Sequence, residues 1–143
     1  MPQNGLTVGS DARFDIVTAS GLLTLTGLES FSSKKLTHKT KVRLLNGKPI
    51  SLQFPDGWEG AFLVARTDSM VDDYFSAQEA AQLAGANLGT GTIHQTIEEV
   101  NGSVSQYMYT DVQLILEDTG SWESISEVKQ HISFVASARP KVL

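Results

Sequence analysis

Thr92–Glu117, TIHQTIEEVNGSVSQYMYTDVQLILE, holds two long strand-like runs on either side of Asn101-Gly102. In the first run Ile93 and Ile97 alternate with His94, Thr96 and Glu98. In the second, Val112, Leu114 and Leu116 alternate with Asp111, Gln113 and Glu117, and Ile115 is the break in the polar face. A period of two in β-branched and aromatic residues is the pattern of a half-buried strand. Asn-Gly between such runs predicts a tight hairpin, because a type I′ turn needs positive φ at both central residues. The expectation is one long antiparallel hairpin, Thr92–Val100 and Ser103–Glu117.

Further strands are predicted on both sides of it. Glu127–Ala138 places Val128, Ile132, Phe134 and Ala136 on one face. Arg13–Ala19, Leu22–Leu28, Ile50–Phe54 and Ala61–Arg66 follow the same alternation, with Pro55-Asp56-Gly57 read as a turn. The one predicted helix is Ser69–Ala84. Ser69 stands at the N-cap with Asp72 three residues on, Asp72 and Asp73 lie where the helix dipole favours negative charge, and Gly85 suits the position after the C-cap. The fold class expected is therefore mainly β: two packed antiparallel sheets forming a sandwich or barrel, with one flanking α-helix. The whole chain, 1–143, reads as a single domain. Long strands leave open backbone edges, which prolines blunt in monomers, yet none of the four prolines lies between Pro55 and Pro140. The edges are expected to be satisfied by neighbouring copies.

Hydrophobic residues at 41% and charged residues at 19% are a globular balance, not a disordered one. The chain has no cysteine, which removes disulfides and thiolate metal sites from consideration. Met1–Ser10 lacks a basic and an apolar region, so no secretory signal is expected, and Ala61–Ala65 is too short an apolar run to span a bilayer. The net charge of −5 argues against a simple nucleic-acid binder. Its distribution is uneven. Up to Pro55 there are seven Lys/Arg and three Asp/Glu, a net of +4; from Asp56 onward there are four and thirteen, a net of −9. Lys34, Lys35, Lys39, Lys41, Arg43 and Lys48 stand together with no acid among them. This basic stretch is either a solvated loop or a surface that complements the acidic remainder of another copy.

No motif for chemistry emerges. His38, His94 and His131 have no helical-spacing partners among themselves, and exposed histidines are the expectation. Gly89-Thr90-Gly91 follows a helix and precedes a strand, the reverse of the dinucleotide fingerprint. Gly47-Lys48 is followed by Pro49, unlike a phosphate loop, and no serine has the nucleophile-elbow context. Glu98 and Glu99, adjacent on a strand, point to opposite faces and cannot converge. No catalytic residue, no metal and no cofactor is expected.

The order of segments from about Leu44 to Arg139 resembles the tail tube proteins of contractile-tailed bacteriophages. The resemblance is carried by Leu45-Asn46-Gly47-Lys48-Pro49, by Asp56-Gly57-Trp58 and Arg66-Thr67-Asp68-Ser69, and by the helix Asp72–Ala81. It continues through Ser103–Tyr107, Tyr109-Thr110, Gly120-Ser121-Trp122, Val128-Lys129-Gln130 and Ile132–Ser137. The resemblance implies hexameric rings in which each subunit lends strands to a continuous inner β-barrel. It implies that the rings stack into a hollow tube inside a contractile sheath, through which genomic DNA passes transiently. The implied partners are the chain itself, the tail sheath protein, baseplate and tail terminator proteins, and the tape measure protein, with no membrane. The implied location is the virion tail, assembled in the host cytoplasm. In the family a loop between the long early strands reaches the next ring. Here it would be a basic extended loop at about 31–48, with Lys34, Lys35, Lys39, Lys41 and Arg43 as the inter-ring contact. His94, Thr96 and Glu98 would face the lumen, where negative charge repels the phosphate backbone. The tube of a phage-like bacteriocin or secretion system fits equally. From other classes, a monomeric ligand-binding β-barrel and a weak DNA-binding module remain. The second is opposed by net charge and by the scarcity of aromatics among the lysines, Phe31 being the one nearby.

Overall fold

One strand organises the fold. In the computed structural model, which describes residues 3–23, 25 and 27–143, Val104–Asp118 belongs to both halves of the molecule. In chain order the strands are β1 (Ala12–Thr18), β2 (Gly21–Leu23), β3 (Leu28–Arg43) and β4 (Pro49–Ala65), then, after the helix α1 (Met70–Leu83), β5 (Gly91–Glu98), β6 (Val104–Asp118) and β7 (Lys129–Ala136). They form one antiparallel seven-stranded sheet in the order β2-β1-β5-β6-β7-β4-β3. The first part of β6 pairs with β5, from Val104↔Glu98 to Tyr109↔Ile93 and, past a register shift, at Val112↔Gly91; the last part, from Gln113 onward, pairs with β7. Between them Asp111 adopts φ 51°, a conformation Asp tolerates better than most residues, and the strand turns a corner there. The stretch after β7 follows: Ala138 and Lys141 bridge to Thr110 and Tyr107.

The corner lets the two halves face each other, so the expected pair of packed sheets exists as one sheet folded over. Phe14 of β1 meets Phe31 of β3 at 4.2 Å between ring centroids, and Phe31 stacks on Phe134 of β7 at 5.6 Å. Tyr109, Phe62, Phe134, Ile93 and Ile132 are almost wholly buried between the halves. The Tyr109 hydroxyl, which would be costly to leave bare, donates to Ser33 Oγ at 2.8 Å. Gly60 lies in a tight place. A Cβ there would stand 2.1 Å from the Ser32 carbonyl oxygen and 2.7 Å from the Phe134 ring. Gly60→Val is expected to destabilise the chain by about 1–3 kcal/mol through overpacking. A urea midpoint that does not fall would contradict this.

Several sequence expectations need correction. The stretch Leu22–Leu28 is not one strand: β2 ends at Leu23 and β3 opens at Leu28, while Thr24 and Thr26 lie outside the described residues. Pro55-Asp56-Gly57 is not a turn between strands but a bulge inside β4. Between the pairs Lys35↔Trp58 and Thr37↔Pro55, β4 uses one residue more than β3, and Gly57 takes φ +94°. At Asn101-Gly102 the turn is not type I′. Gly102 alone has positive φ; its N–H donates to the Glu99 carbonyl, and Asn101 Oδ1 accepts from the Ser103 N–H. This three-residue loop with a glycine bulge recurs at Leu45-Asn46-Gly47, where the Gly47 N–H donates to the Leu44 carbonyl. The helix is where the sequence placed it, but Ser69 makes no cap to the backbone. Its hydroxyl donates to Asp73 instead, and Asp68 accepts from the Met70 N–H. At the other end Gly85 and Ala86 donate to the Gln82 and Ala81 carbonyls, closing a Schellman motif with Gly85 at φ +79°.

Candidate assembly surfaces

The expected basic loop at 31–48 is strand through Arg43 and a turn from Leu44 to Lys48. Beyond Lys35 and Trp58 the β3–β4 hairpin leaves the sheet, since β7 pairs with β4 only from Trp58 to Ala65. The result is a two-stranded arm with no neighbour on either edge among the described residues. Alternation sorts its side chains. Lys39, Lys41 and Arg43 share a face with Gln53, Ser51 and Pro49 opposite them. Val42, Thr40 and His38 share the other, opposite Ile50, Leu52 and Phe54. One face is basic and the other apolar. The expected inter-ring residues are all exposed, but they are not one patch. Lys35, Lys39, Lys41 and Arg43 lie on the basic face, whereas Lys34 lies on the other, paired across the strands with Glu59.

Ile50, Leu52 and Phe54, expected to be half-buried, are exposed, Phe54 by 50%. They are exposed because the arm leaves the sheet, where no strand or layer covers either face among the described residues, and the bulge sets the side to which they point. Phe31 and Phe62 are a cross-strand pair facing the core. Without the extra residue at Asp56-Gly57, Phe54 would share the face of Phe62. With it, the even-numbered residues of β4 change sides. The sequence carries the signal as Pro-Asp-Gly inside an otherwise continuous alternation.

The second expected surface is on β5. His94, Thr96 and Glu98 share the face opposite Ile93, which is fully buried, and Glu98 is exposed. Their cross-strand neighbours on β6 are Met108, Gln106 and Val104, and Gln106 Nε2 donates to Thr96 Oγ1 at 3.3 Å. The face is directed away from the core and mixes these polar groups with Met108 and the exposed Val104. The parity reading of the sequence thus agrees with the geometry. A third surface, not anticipated, is the outer face of β4, β7 and β6, where Ile115 and Val135 are exposed beside Glu59 and Glu117.

Other features serve the scaffold. Arg66 pairs with Asp72 at 3.0 Å, and Gln130, buried on β7, donates to Asp72 at 2.7 Å, which fixes the start of α1 against the sheet. Arg139 lies 3.7 Å over the Tyr107 ring and donates to Gln95, which holds the terminal stretch to the corner. A cleft of about 600 Å³ opens between α1, β1 and β6. Its ionisable lining groups are Tyr74 and Glu79; burial pushes the Tyr74 phenol above its ordinary value, so it stays protonated at neutral pH. No group of three or more metal-ligating side chains occurs among the described residues. No helix among them is long and apolar enough to cross a membrane.

No protein-family model and no curated protein sequence matches the chain. Solved structures do. A chain of the sheath–tube complex of an extracellular contractile injection system superposes with a TM-score of 0.63 at 12% identity, over 91% of this chain and 88% of that one. A chain of the anti-feeding prophage tube-terminating cap gives 0.61 at 13% identity, over 91% and 87%. A chain from the tail of an empty gene transfer agent particle, refined helically with C6 symmetry, gives 0.54 at 12% identity, over 95% and 98%. The fold is that of these contractile and phage-like tail components, as the sequence resemblance implied.

Proposed function

We propose that this chain is the structural subunit of a tail tube, assembling into sixfold rings that stack into a hollow tube for DNA passage. The observation that carries the reading is the pair of open edges on a tail-tube fold. β2 and β3 end the sheet, and β3 runs for 16 residues with its outer edge unpaired among the described residues. A monomer left this way would expose a long template for strand addition, whereas closing a ring of sheets removes the edge. In this reading the face of His94, Thr96 and Glu98 lines the lumen. A contractile sheath, terminator and baseplate proteins are the partners, and the tube acts in a virion or injection particle after assembly in the host cytoplasm. The role requires no catalytic group, metal or cofactor.

The basic face of the arm is proposed to meet an acidic surface of the adjacent ring. A head-to-tail contact joins two different surfaces of one protein, so each subunit must carry both partners. Single exposed ion pairs contribute about 0–1 kcal/mol, but a ring repeats them around its axis. They are also screened by salt. Wild-type protein is expected to assemble at low salt and to shorten its tubes as salt rises. Replacing Lys35, Lys39, Lys41 and Arg43, which share the basic face, with Ser is expected to leave rings intact and tubes short even at low salt. Tubes of normal length with an unchanged salt response would return these residues to a solvated surface.

A further inference from the structure

The first half of β6 has a second neighbour. On one side it pairs with β5; on the other, residues 138–143 run back along it as a strap. The N–H groups of Gln106, Met108 and Thr110 donate to the carbonyls of Leu143, Pro140 and Ala138 at 3.2, 3.1 and 3.0 Å. The Ser137 and Val142 N–H groups return bonds to the Thr110 and Gln106 carbonyls. Pro140 has no N–H to return to Met108, so the ladder lacks a rung near its middle. No strap residue belongs to the buried core, and all but Arg139 are exposed. Arg139 is the latch. Its guanidinium lies 3.7 Å from the Tyr107 ring centroid, 5.4 Å from that of Trp58 and 5.5 Å from that of Tyr109, and its Nη2 donates to Gln95 Oε1 at 2.8 Å. Its Nε is buried with no hydrogen-bond partner among the described residues, so the fastening carries a cost of its own.

The strap sits where a ring of copies has to close. In the layer of β2, β1, β5 and the first half of β6, β2 ends one side; β6 ends the other, since β7 pairs with it only from Gln113 onward. A head-to-tail ring of such layers brings β2 of one copy to the β6 edge of the next. In the unassembled chain the strap occupies that edge. The strap's own outer side is a poor template, because proline and lysine blunt an edge, and Pro140 and Lys141 stand on it. The edge beneath is regular, with donors at three alternate residues. We infer that residues 138–143 are a releasable guard: latched by Arg139, they close the β6 edge of the unassembled chain and leave it when β2 of a second copy takes their place. This rests on the tube-subunit reading and deepens it by naming what holds free subunits apart. The backbone bonds lost on release are replaced by those of the incoming strand, and Arg139 Nε reaches water.

The chain has no native cysteine, so the strap can be stapled without competing thiols. Tyr107 and Lys141 form an antiparallel bridge, and the bonds from Met108 to Pro140 and from Val142 to Gln106 on either side make them a non-hydrogen-bonded pair. Such partners stand about 4.5 Å apart at Cα, within reach of a disulfide. Tyr107→Cys with Lys141→Cys, once oxidised, is expected to stay folded and monomeric where the wild type assembles, and reduction is expected to restore assembly. Arg139→Gln without a staple tests the latch separately. In dissociated protein its Gln106, Met108 and Thr110 amides are expected to exchange with deuterium roughly tenfold or more faster than in the wild type, while those of Ser105, Tyr107 and Tyr109, which face β5, keep their rates. The same variant is expected to assemble at a severalfold lower concentration. An oxidised staple that assembles like the wild type overturns the guard and leaves the tube reading standing. So does Arg139→Gln with an unchanged assembly threshold, or with both sets of amides accelerated together, which would make Arg139 a support of the core. A wild-type chain that stays monomeric at every concentration overturns both the guard and the tube.

Discussion

Phe134→Ala is expected to cost about 3–5 kcal/mol, the range for removing a buried aromatic and leaving a cavity. Phe134 is 1% exposed and lies where both halves of the folded sheet and the β3–β4 hairpin converge. Its ring is stacked on Phe31 at 10° and meets Phe62 and Tyr109 at 5.5 and 5.4 Å. These neighbours sit on separate strands tied by backbone ladders, so they cannot collapse inward to refill the space. Domains of this kind are stable by about 5–15 kcal/mol, so the loss is a large fraction of the total. Thermal unfolding should shift down by roughly 10–15 °C if each kcal/mol moves a chain of this size by about 2–4 °C. A shift of a degree or two would mean that the sheets repack and that the aromatic junction does not hold them together.

Deleting the arm should do the reverse, removing assembly while sparing the fold. The construction replaces Leu36–Gly57 with a short Asn-Gly turn joining Lys35 to Trp58, which are already cross-strand partners. No residue in the removed segment belongs to the buried core, which draws on β1, β2, the base of β4, α1 and β5 to β7. The cost to folding is therefore small, and a shorter loop is entropically slightly favourable. The arm's apolar strip and four of the six clustered basic residues go with it, leaving Lys34 and Lys35. Sedimentation is expected to show a folded monomer, or at most isolated rings, where the intact chain forms long assemblies. Normal tubes from the armless chain would show that the sheet edges alone carry the assembly. An unfolded product would show that the arm supports the core through contacts the burial pattern does not reveal.

What could be read from the sequence follows local chemistry. Phe14 and Ile16 in β1 and the alternation of β7 specify strands by period alone, and both stand where expected. The helix was legible from Asp72, Asp73 and Gly85, because charge near a helix start and glycine after its end act within a single turn. The missing information was non-local. Asn101-Gly102 announces a hairpin, but whether Asn101 also takes positive φ depends on how the strands meet, and a three-residue loop won. The corner at Asp111 has no signature beyond an Asp in a strand, yet it converts one long strand into the hinge of two packed layers. For the candidate surfaces, the face of His94, Thr96 and Glu98 was legible from parity with Ile93. The clustered lysines were legible as a charge run, but their division into Lys34 on one side and Lys35, Lys39, Lys41 and Arg43 on the other required the register. The exposure of Ile50, Leu52 and Phe54 was not legible, because alternation gives a face but not whether the sheet continues to cover it. The extra residue at the bulge then sets the side to which that face points.

As proposed here, this chain builds a tube from copies of itself. Negative-stain electron microscopy of the purified protein, imaged over a range of concentrations at low salt, tests it most directly. Hollow tubes of uniform width are expected, with ring-shaped end-on views showing sixfold symmetry. Uniform single-subunit particles at every concentration, with no rings or tubes, would contradict it.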